Sequence, residues 1–236
     1  MITTAVILSA GLGTRMRPMT EQTPKVLFEL GGEPLLFHTL RLLASSGVER
    51  VAINLHHLGS KILQAAGDGS AFGVRITYAE EPELLGSAGA VRNFSSVIDG
   101  PFAVLYGDVF TDVDVRLLGA FHQKSGAMMT LSLTHSESPT RCGVVDVAPD
   151  GRVKSFVEKP KTAALDAVVS AGVYICAPSL LGAIPEGVSD FGTDVIPALI
   201  ASGERVFGMW TNAYFQDIGT PEGYRLAGES LLSRRS

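Results

Sequence analysis

Residues Thr4–Lys25 read TAVILSAGLGTRMRPMTEQTPK. The first five, Thr4–Leu8, form a short apolar run with the character of a strand. The segment that follows, Ala10–Lys25, holds two glycines, three cations (Arg15, Arg17, Lys25) and two prolines. Glycines let a backbone approach a phosphate closely and adopt positive φ, and successive backbone N–H groups then form an anion nest. A strand that runs into such a loop predicts a nucleoside triphosphate site. The loop is not a P-loop, since Gly-Lys-Ser/Thr is absent. Nor is it a dinucleotide fingerprint, since Gly11-Leu12-Gly13 lacks a third glycine three residues on. With the glycines alone it would read as an ordinary βα loop; Thr14-Arg15 and Pro24-Lys25 shift that reading.

The 236 residues, 46% hydrophobic and 18% charged, can bury a sizeable core. The formal net charge of −5 gives no ground for general affinity for nucleic acid or membrane. The cations of the loop are therefore a local concentration in an acidic chain, as a site for an anion requires. Two cysteines, Cys142 and Cys176, can make neither a disulfide framework nor a four-cysteine zinc site. A reduced, cytoplasmic protein is expected, without a signal peptide or a membrane span.

Outward from the loop, apolar β-rich runs alternate with helical spacing. Strands are predicted at Val51–Leu55, Val74–Tyr78, Phe102–Leu105 and Met128–Leu133. Helices are predicted at Pro34–Ser45, Ser60–Ala66, Ser87–Val97 and Val113–Lys124, the last capped by Asp112. This alternation predicts a Rossmann-like, mostly parallel sheet flanked by helices. The second half changes rhythm. Strands Gly143–Val147, Arg152–Val157 and Val168–Ile175 follow one another, the first two joined at Pro149-Asp150-Gly151, and read as an antiparallel or mixed addition. Helices Pro178–Ala183 and Asp194–Ala201 and strand Arg205–Met209 come next. Thr220 and Pro221 then fit the N-cap and first position of a last helix. No repeat or linker interrupts the chain, so one domain over residues 1–236 is expected.

Each polar candidate has an ordinary reading. Asp108 follows the strand Phe102–Leu105, and Asp217 precedes the Thr220-Pro221 helix start; alone, either is a turn or capping residue. Glu158 and Lys159 at a strand end form a common exposed charge pair. Ser87 would cap the helix behind it. His56-His57 are adjacent on a strand and point to opposite faces, so they read as structural, as do His38, His122 and His135.

Taken together, however, the motifs resemble the sugar-nucleotide pyrophosphorylases, the nucleoside-diphosphate-sugar nucleotidyltransferases, over nearly the whole chain. The resemblance rests on Gly11-x-Gly13-Thr14-Arg15-Met16-x-Pro18-x-Thr20-x-x-x-Pro24-Lys25, Leu85-Gly86-Ser87-Ala88-Gly89, Gly107-Asp108 and Glu158-Lys159-Pro160. Ser170-Ala171-Gly172-Val173-Tyr174 and Asp217-Ile218-Gly219-Thr220-Pro221 complete it, in family order. It implies a single nucleotidyltransferase domain with a nucleotide-binding part at about 1–110 and a sugar-phosphate part at about 111–225. It also implies transfer of a nucleotidyl group from a nucleoside triphosphate to a sugar 1-phosphate, with pyrophosphate released. Two polyanions meet in that reaction, so positioning and charge neutralisation carry it, and no protein nucleophile is needed.

By the same resemblance, Arg15, Lys25 and Asp108 are catalytic. Arg15 meets the leaving pyrophosphate, and Lys25 bridges the α-phosphate and the incoming sugar phosphate. Asp108 and Asp217 hold Mg²⁺. The nucleotide lies against Leu8, Ala10, Gly11, Gly13, Thr14, Arg15, Gly86 and Ser87. The sugar phosphate lies against Gly143, Glu158, Lys159 and Ser170. Cys142 stands where the family often has Tyr, and Ser170 where it usually has Asn. The motif set is most similar to guanylyltransferases acting on mannose 1-phosphate or manno-heptose 1-phosphate, with GTP as donor. Uridylyl- and thymidylyltransferases acting on glucose 1-phosphate or N-acetylmuramic acid 1-phosphate stay open. So does a non-catalytic relative that senses a nucleotide sugar. The resemblance also implies a homodimer.

Overall fold

The computed structural model describes residues 1–235. The chain divides into two compact units, each gathered from separated segments. One, the loop unit, comprises Thr3–Leu84, Leu105–Asp112 and 214–235. The other comprises Met1–Ile2, Leu85–Val104 and Val113–Ala213.

In the loop unit, β1 (Thr4–Leu8), β4 (Arg50–Leu55) and β5 (Arg75–Glu80) pair in parallel, with Val6 opposite Ala52 and Ile53 opposite Tyr78. Ala5, Val6 and Ile7 are fully buried, and Val51, Ala52 and Ile53 almost so. Strands covered on both faces read as unbroken apolar runs, which is why these were legible. The chain returns between them through α2 (Leu35–Ser45) and α3 (Gly59–Ala66). α2 buries Leu35, Leu36, Leu40 and Leu43, and closes with Gly47 at φ +86 just beyond its cap. Two small antiparallel pairs were not predicted: β2 (Glu29–Leu30) with β3 (Glu33–Pro34), and β7 (Val109–Thr111) with β13 (Phe215–Asp217). The one-turn helix α1 (Met19–Gln22) lies within the signature loop. α8 (Pro221–Arg235) begins as expected, with the Gly223 N–H donating to Thr220 Oγ1 at 3.2 Å.

Strand β6 (Phe102–Tyr106) carries residues of both units. In the second unit, β9 (Gly143–Val147) and β10 (Val153–Glu158) pair antiparallel around the expected turn, where Gly151 takes φ +87. β11 (Val168–Cys176) pairs antiparallel with β8 (Met129–His135), and β12 (Val206–Trp210) pairs parallel with β8. α4 (Gly86–Asn93), α5 (Val115–Ser125), α6 (Leu180–Ala183) and α7 (Ile196–Ala201) complete it. A mixed sheet with flanking helices is the α/β class that the sequence predicts. Among the described residues no helix is long and apolar enough to cross a membrane.

The start of α5 corrects the sequence reading. The cap is Asp114, whose Oδ1 accepts from the N–H groups of Arg116 (2.9 Å) and Leu117 (3.3 Å). Asp112 instead accepts from the Tyr214 N–H at 2.6 Å, a partner about a hundred residues away that no local pattern announces.

α5 also buries His122, only 4% exposed, with Nδ1 2.9 Å from Thr130 Oγ1. Burial pushes its pKa down to about 4. The unfolded chain takes up this proton near pH 6.5, the folded one only near pH 4. The stability it contributes is therefore complete above about pH 6.5 and falls as pH drops toward 4, at up to about 1.4 kcal/mol per unit. Urea unfolding at pH 7 and pH 5 should differ by about 2 kcal/mol through this group. His122→Gln should shrink the difference by about that amount; an unchanged pH dependence would remove His122 as its source.

Candidate active site

The signature loop is held from below. The Ser9 N–H donates to Asn54 Oδ1 at 2.7 Å, the Ser9 hydroxyl to the Asn54 carbonyl, and Asn54 Nδ2 to Glu81 Oε1 at 2.9 Å. All three residues are buried. This polar chain ties together the carboxyl ends of β1, β4 and β5 where the loop departs. At Gly13 the backbone takes φ +62. A β-carbon there would stand 2.7 Å from Thr20 Cγ2 and 3.1 Å from Lys25 Cγ, so glycine is required on both counts. Thr20, buried, donates its hydroxyl to the Gly13 carbonyl at 2.9 Å. Met16 anchors the middle of the loop in an apolar cluster with Phe28, Leu30, Leu35, Phe110 and Ile218. Between these anchors Gly11 faces open space, and Thr14, Arg15 and Arg17 are exposed.

Gly107 brings a second segment against the loop. Its N–H donates to the Leu8 carbonyl at 2.8 Å, and a β-carbon would sit 2.7 Å from that oxygen. The next residue, Asp108, forms an ion pair with Lys25 Nζ. The Lys25 side chain is 12% exposed and that of Asp108 23%, so both charges are largely shielded from solvent. The Ile218 N–H donates to the Asp108 carbonyl at 2.9 Å, and Asp217 pairs with Val109 across β13 and β7. Asp217 thus stands on β13, and Asp108 immediately precedes β7, the strand that β13 pairs with. Asp217 Oδ1 accepts from the Gly219 N–H at 2.5 Å. A β-carbon on Gly219 would lie 2.7 Å from Asp217 Oδ1 and 2.9 Å from Arg15 Nη2. Arg15, Lys25, Asp108 and Asp217, spread over 200 residues of sequence, therefore gather in one unit.

Among the described residues no three or more His, Cys, Asp or Glu side chains are arranged to hold a metal by themselves. Mg²⁺ is ordinarily held by one or two carboxylates together with substrate phosphates and water. The oxygen donors of Asp108 and Asp217 fit that pattern.

In the second unit, Glu158 ends β10 opposite Gly143 on β9. Gly143 packs so tightly on the Phe156 ring that it has no room for a side chain. Lys159 takes φ +43, unusual for a residue with a β-carbon, and its Nζ lies 2.8 Å from Glu158 Oε1. Its N–H donates to the Cys142 carbonyl at 3.0 Å. Left-handed backbone costs such a residue about 1–2 kcal/mol, and glycine would avoid the cost. Lys159→Gly should raise stability in urea by up to about 1 kcal/mol and weaken sugar-phosphate use. A variant both less stable and fully active would contradict a functional reason for the lysine. Ser170 is 6% exposed, with its hydroxyl 3.5 Å from the Tyr174 hydroxyl and accepting from the Gly172 N–H at 3.4 Å.

Ser87 is not the cap of α4; Leu85 occupies that position, and Gly86 starts the helix at φ +73. The Ser87 N–H and hydroxyl both donate to Asp190 Oδ1, each at 2.8 Å, and the Phe191 N–H donates to Ser87 Oγ at 2.9 Å. Nothing in the sequence pointed to Asp190. His56 and His57 follow β4 in a turn rather than lying on it. Their ring nitrogens meet the backbone carbonyls of Glu81 (2.7 Å) and Thr20 (3.1 Å), a structural use.

The family model described as nucleotidyl transferase matches residues 4–234. A mannose-1-phosphate guanylyltransferase of Mycobacterium tuberculosis is 33% identical over 97% of the chain and 64% of that protein. A UTP–glucose-1-phosphate uridylyltransferase of Synechocystis is also 33% identical, over 98% of the chain and 63% of that protein. The chain thus spans a little under two thirds of the length of these relatives. Among solved structures, HddC from Yersinia pseudotuberculosis superposes with a TM-score of 0.83 at 27% identity, covering 98% of this chain and all of that one. HddC has also been solved in complex with GMP-PN. The family match runs from the first strand into the last helix and takes in the loop, Asp108 and Asp217, so the chain belongs to the nucleotidyl transferase family.

Proposed function

We propose that the protein transfers a nucleotidyl group, with GTP as the favoured donor, to mannose 1-phosphate or a manno-heptose 1-phosphate. The observation that carries this reading is the gathering of Arg15, Lys25, Asp108 and Asp217 around an open, glycine-fixed loop. A sugar-phosphate oxygen attacks the α-phosphorus, the bond from that phosphorus to the β-phosphate bridging oxygen breaks, and pyrophosphate leaves with the electron pair. Lys25 holds the α-phosphate and the entering phosphate together. Arg15 neutralises charge on the departing pyrophosphate. Asp108 and Asp217 are the residues to hold Mg²⁺, which when bound would supply further neutralisation of the polyphosphate. Backbone groups of Leu8, Ala10, Gly11, Gly13 and Thr14 receive the nucleotide in the loop unit. In the second unit, Gly86 and Ser87 serve the nucleotide, and Gly143, Glu158, Lys159 and Ser170 serve the sugar phosphate.

Guanine is favoured because the guanylyltransferase of M. tuberculosis and the HddC complex with GMP-PN are both similar to this chain. The Synechocystis relative supports a second reading, uridylyl transfer to glucose 1-phosphate. Pyrophosphate release from each triphosphate, mixed in turn with mannose, manno-heptose and glucose 1-phosphates and Mg²⁺, separates them. GTP with a manno-configured sugar should turn over fastest. Faster reaction of UTP with glucose 1-phosphate would replace the first reading by the second, and no release with any pair would favour a sensing role.

A further inference from the structure

Segment Ser189–Gly192 reaches two elements that the proposed reaction uses, and it does so within one unit. At one end, the carbonyl of Ser189 accepts from the N–H groups of Ala88 (2.9 Å) and Gly89 (3.1 Å), while Asp190 Oδ1 receives both donors of Ser87. The free N–H groups of the first turn of α4 are thereby taken up by a remote segment rather than by a local cap. Asp190 is itself fixed: its N–H donates to Asp194 Oδ2 at 2.7 Å. At the other end, Gly192 lies under Glu158, where a β-carbon would stand 2.6 Å from Oε2. Ser189, 2% exposed, leaves its hydroxyl without a partner among the described residues. A buried unpaired hydroxyl weakens the fold, so the segment is not built for stability alone.

We infer that Asp190 is a positioning residue for nucleotide binding. Its carboxylate fixes the orientation of the first turn of α4, Gly86–Ser87, the turn assigned above to the nucleotide, while Gly192 on the same segment leaves room for Glu158, assigned to the sugar phosphate. The inference rests on the transfer reaction proposed above. It predicts that the two ends of one short segment govern different substrates. Two donors of Ser87 converge on a single carboxylate oxygen, and that is what fixes its orientation.

The test is steady-state kinetics of the full chain with GTP and its best sugar 1-phosphate, each varied with the other saturating. Asp190→Ala should raise KM for the triphosphate about tenfold and leave KM for the sugar phosphate within about threefold, from the loss of two charge-assisted hydrogen bonds. Asp190→Asn, which keeps an acceptor oxygen, should restore most of the triphosphate KM. Gly192→Ala should do the reverse of Asp190→Ala, raising KM for the sugar phosphate. The double variant Ser87→Ala/Asp190→Ala should be no worse than Asp190→Ala alone. Equal changes in both KM values, or none, would overturn the inference, and a loss of melting temperature alone would reduce Asp190 to a structural cap. Wild-type protein inactive with every substrate pair would instead defeat the proposed function, and this inference with it.

Discussion

Lys25→Ala should lower kcat/KM by about a thousandfold, while Arg17→Ala should stay within about threefold. Both cations belong to the same loop; the family resemblance gives a role to Lys25 and none to Arg17, and their surroundings supply the physical reason. Arg17 is exposed, whereas Lys25 lies under Gly13, is only 12% exposed and already holds a carboxylate. A cation kept out of bulk water interacts strongly with phosphate, because little solvent screens it. Removing it forfeits about 4 kcal/mol of charge stabilisation, in the range known for single preorganised donors. The fold should lose only about 1–2 kcal/mol, less than for a fully buried pair, since the Asp108 side chain is 23% exposed and can rehydrate. Initial rates at saturating and limiting triphosphate, with circular dichroism as a check on folding, decide it. Equal losses for the two variants would mean that the ranking of the loop cations by burial is wrong.

The sequence made the loop, the buried parallel strands and the antiparallel β9–β10 pair legible, for a physical reason. Each has a local signature: glycine spacing, an unbroken apolar run, or Pro-Asp-Gly between alternating strands. The parts that were not legible are long-range. β7 and β13 are three residues each, too short for a period, and exist because they pair with each other across a hundred residues. The Ser9–Asn54–Glu81 chain and the Asp190–Ser87 contact join residues 27 to 103 apart, and an Asn, a Ser or an Asp carries no mark of its future partner. Asp112 and Asp114 illustrate the point at short range. Both are good caps in composition, and only the place where α5 begins decides between them. Family resemblance could name Asp108 and Asp217, but the reason they belong together, one hydrogen bond from Ile218 and the register of two tiny strands, appears only in three dimensions.

Asp108→Asn should abolish most turnover, by about a hundred- to a thousandfold in kcat, with the fold intact. The substitution keeps shape and an acceptor oxygen for Lys25, and the bond from the Ile218 N–H goes to the backbone carbonyl, so the strand pairing survives. What it removes is one negative charge. The contrast with Lys25→Ala makes the two experiments informative together. Without ligands, Lys25 and Asp108 neutralise each other. Taking away Lys25 leaves the Asp108 carboxylate uncompensated, so Mn²⁺ titrated into the protein with nucleotide should bind at least as tightly as in the wild type. Taking away the Asp108 charge leaves Lys25 uncompensated, and the same titration should weaken by about tenfold or more. A metal site built on Asp108 thus requires opposite effects on ion binding from two substitutions that both destroy activity. If Asp108→Asn turned over at near the wild-type rate, or if both variants lost the ion alike, Asp108 would be only the counterion of Lys25 and the metal ligand would have to be sought at Asp217 alone.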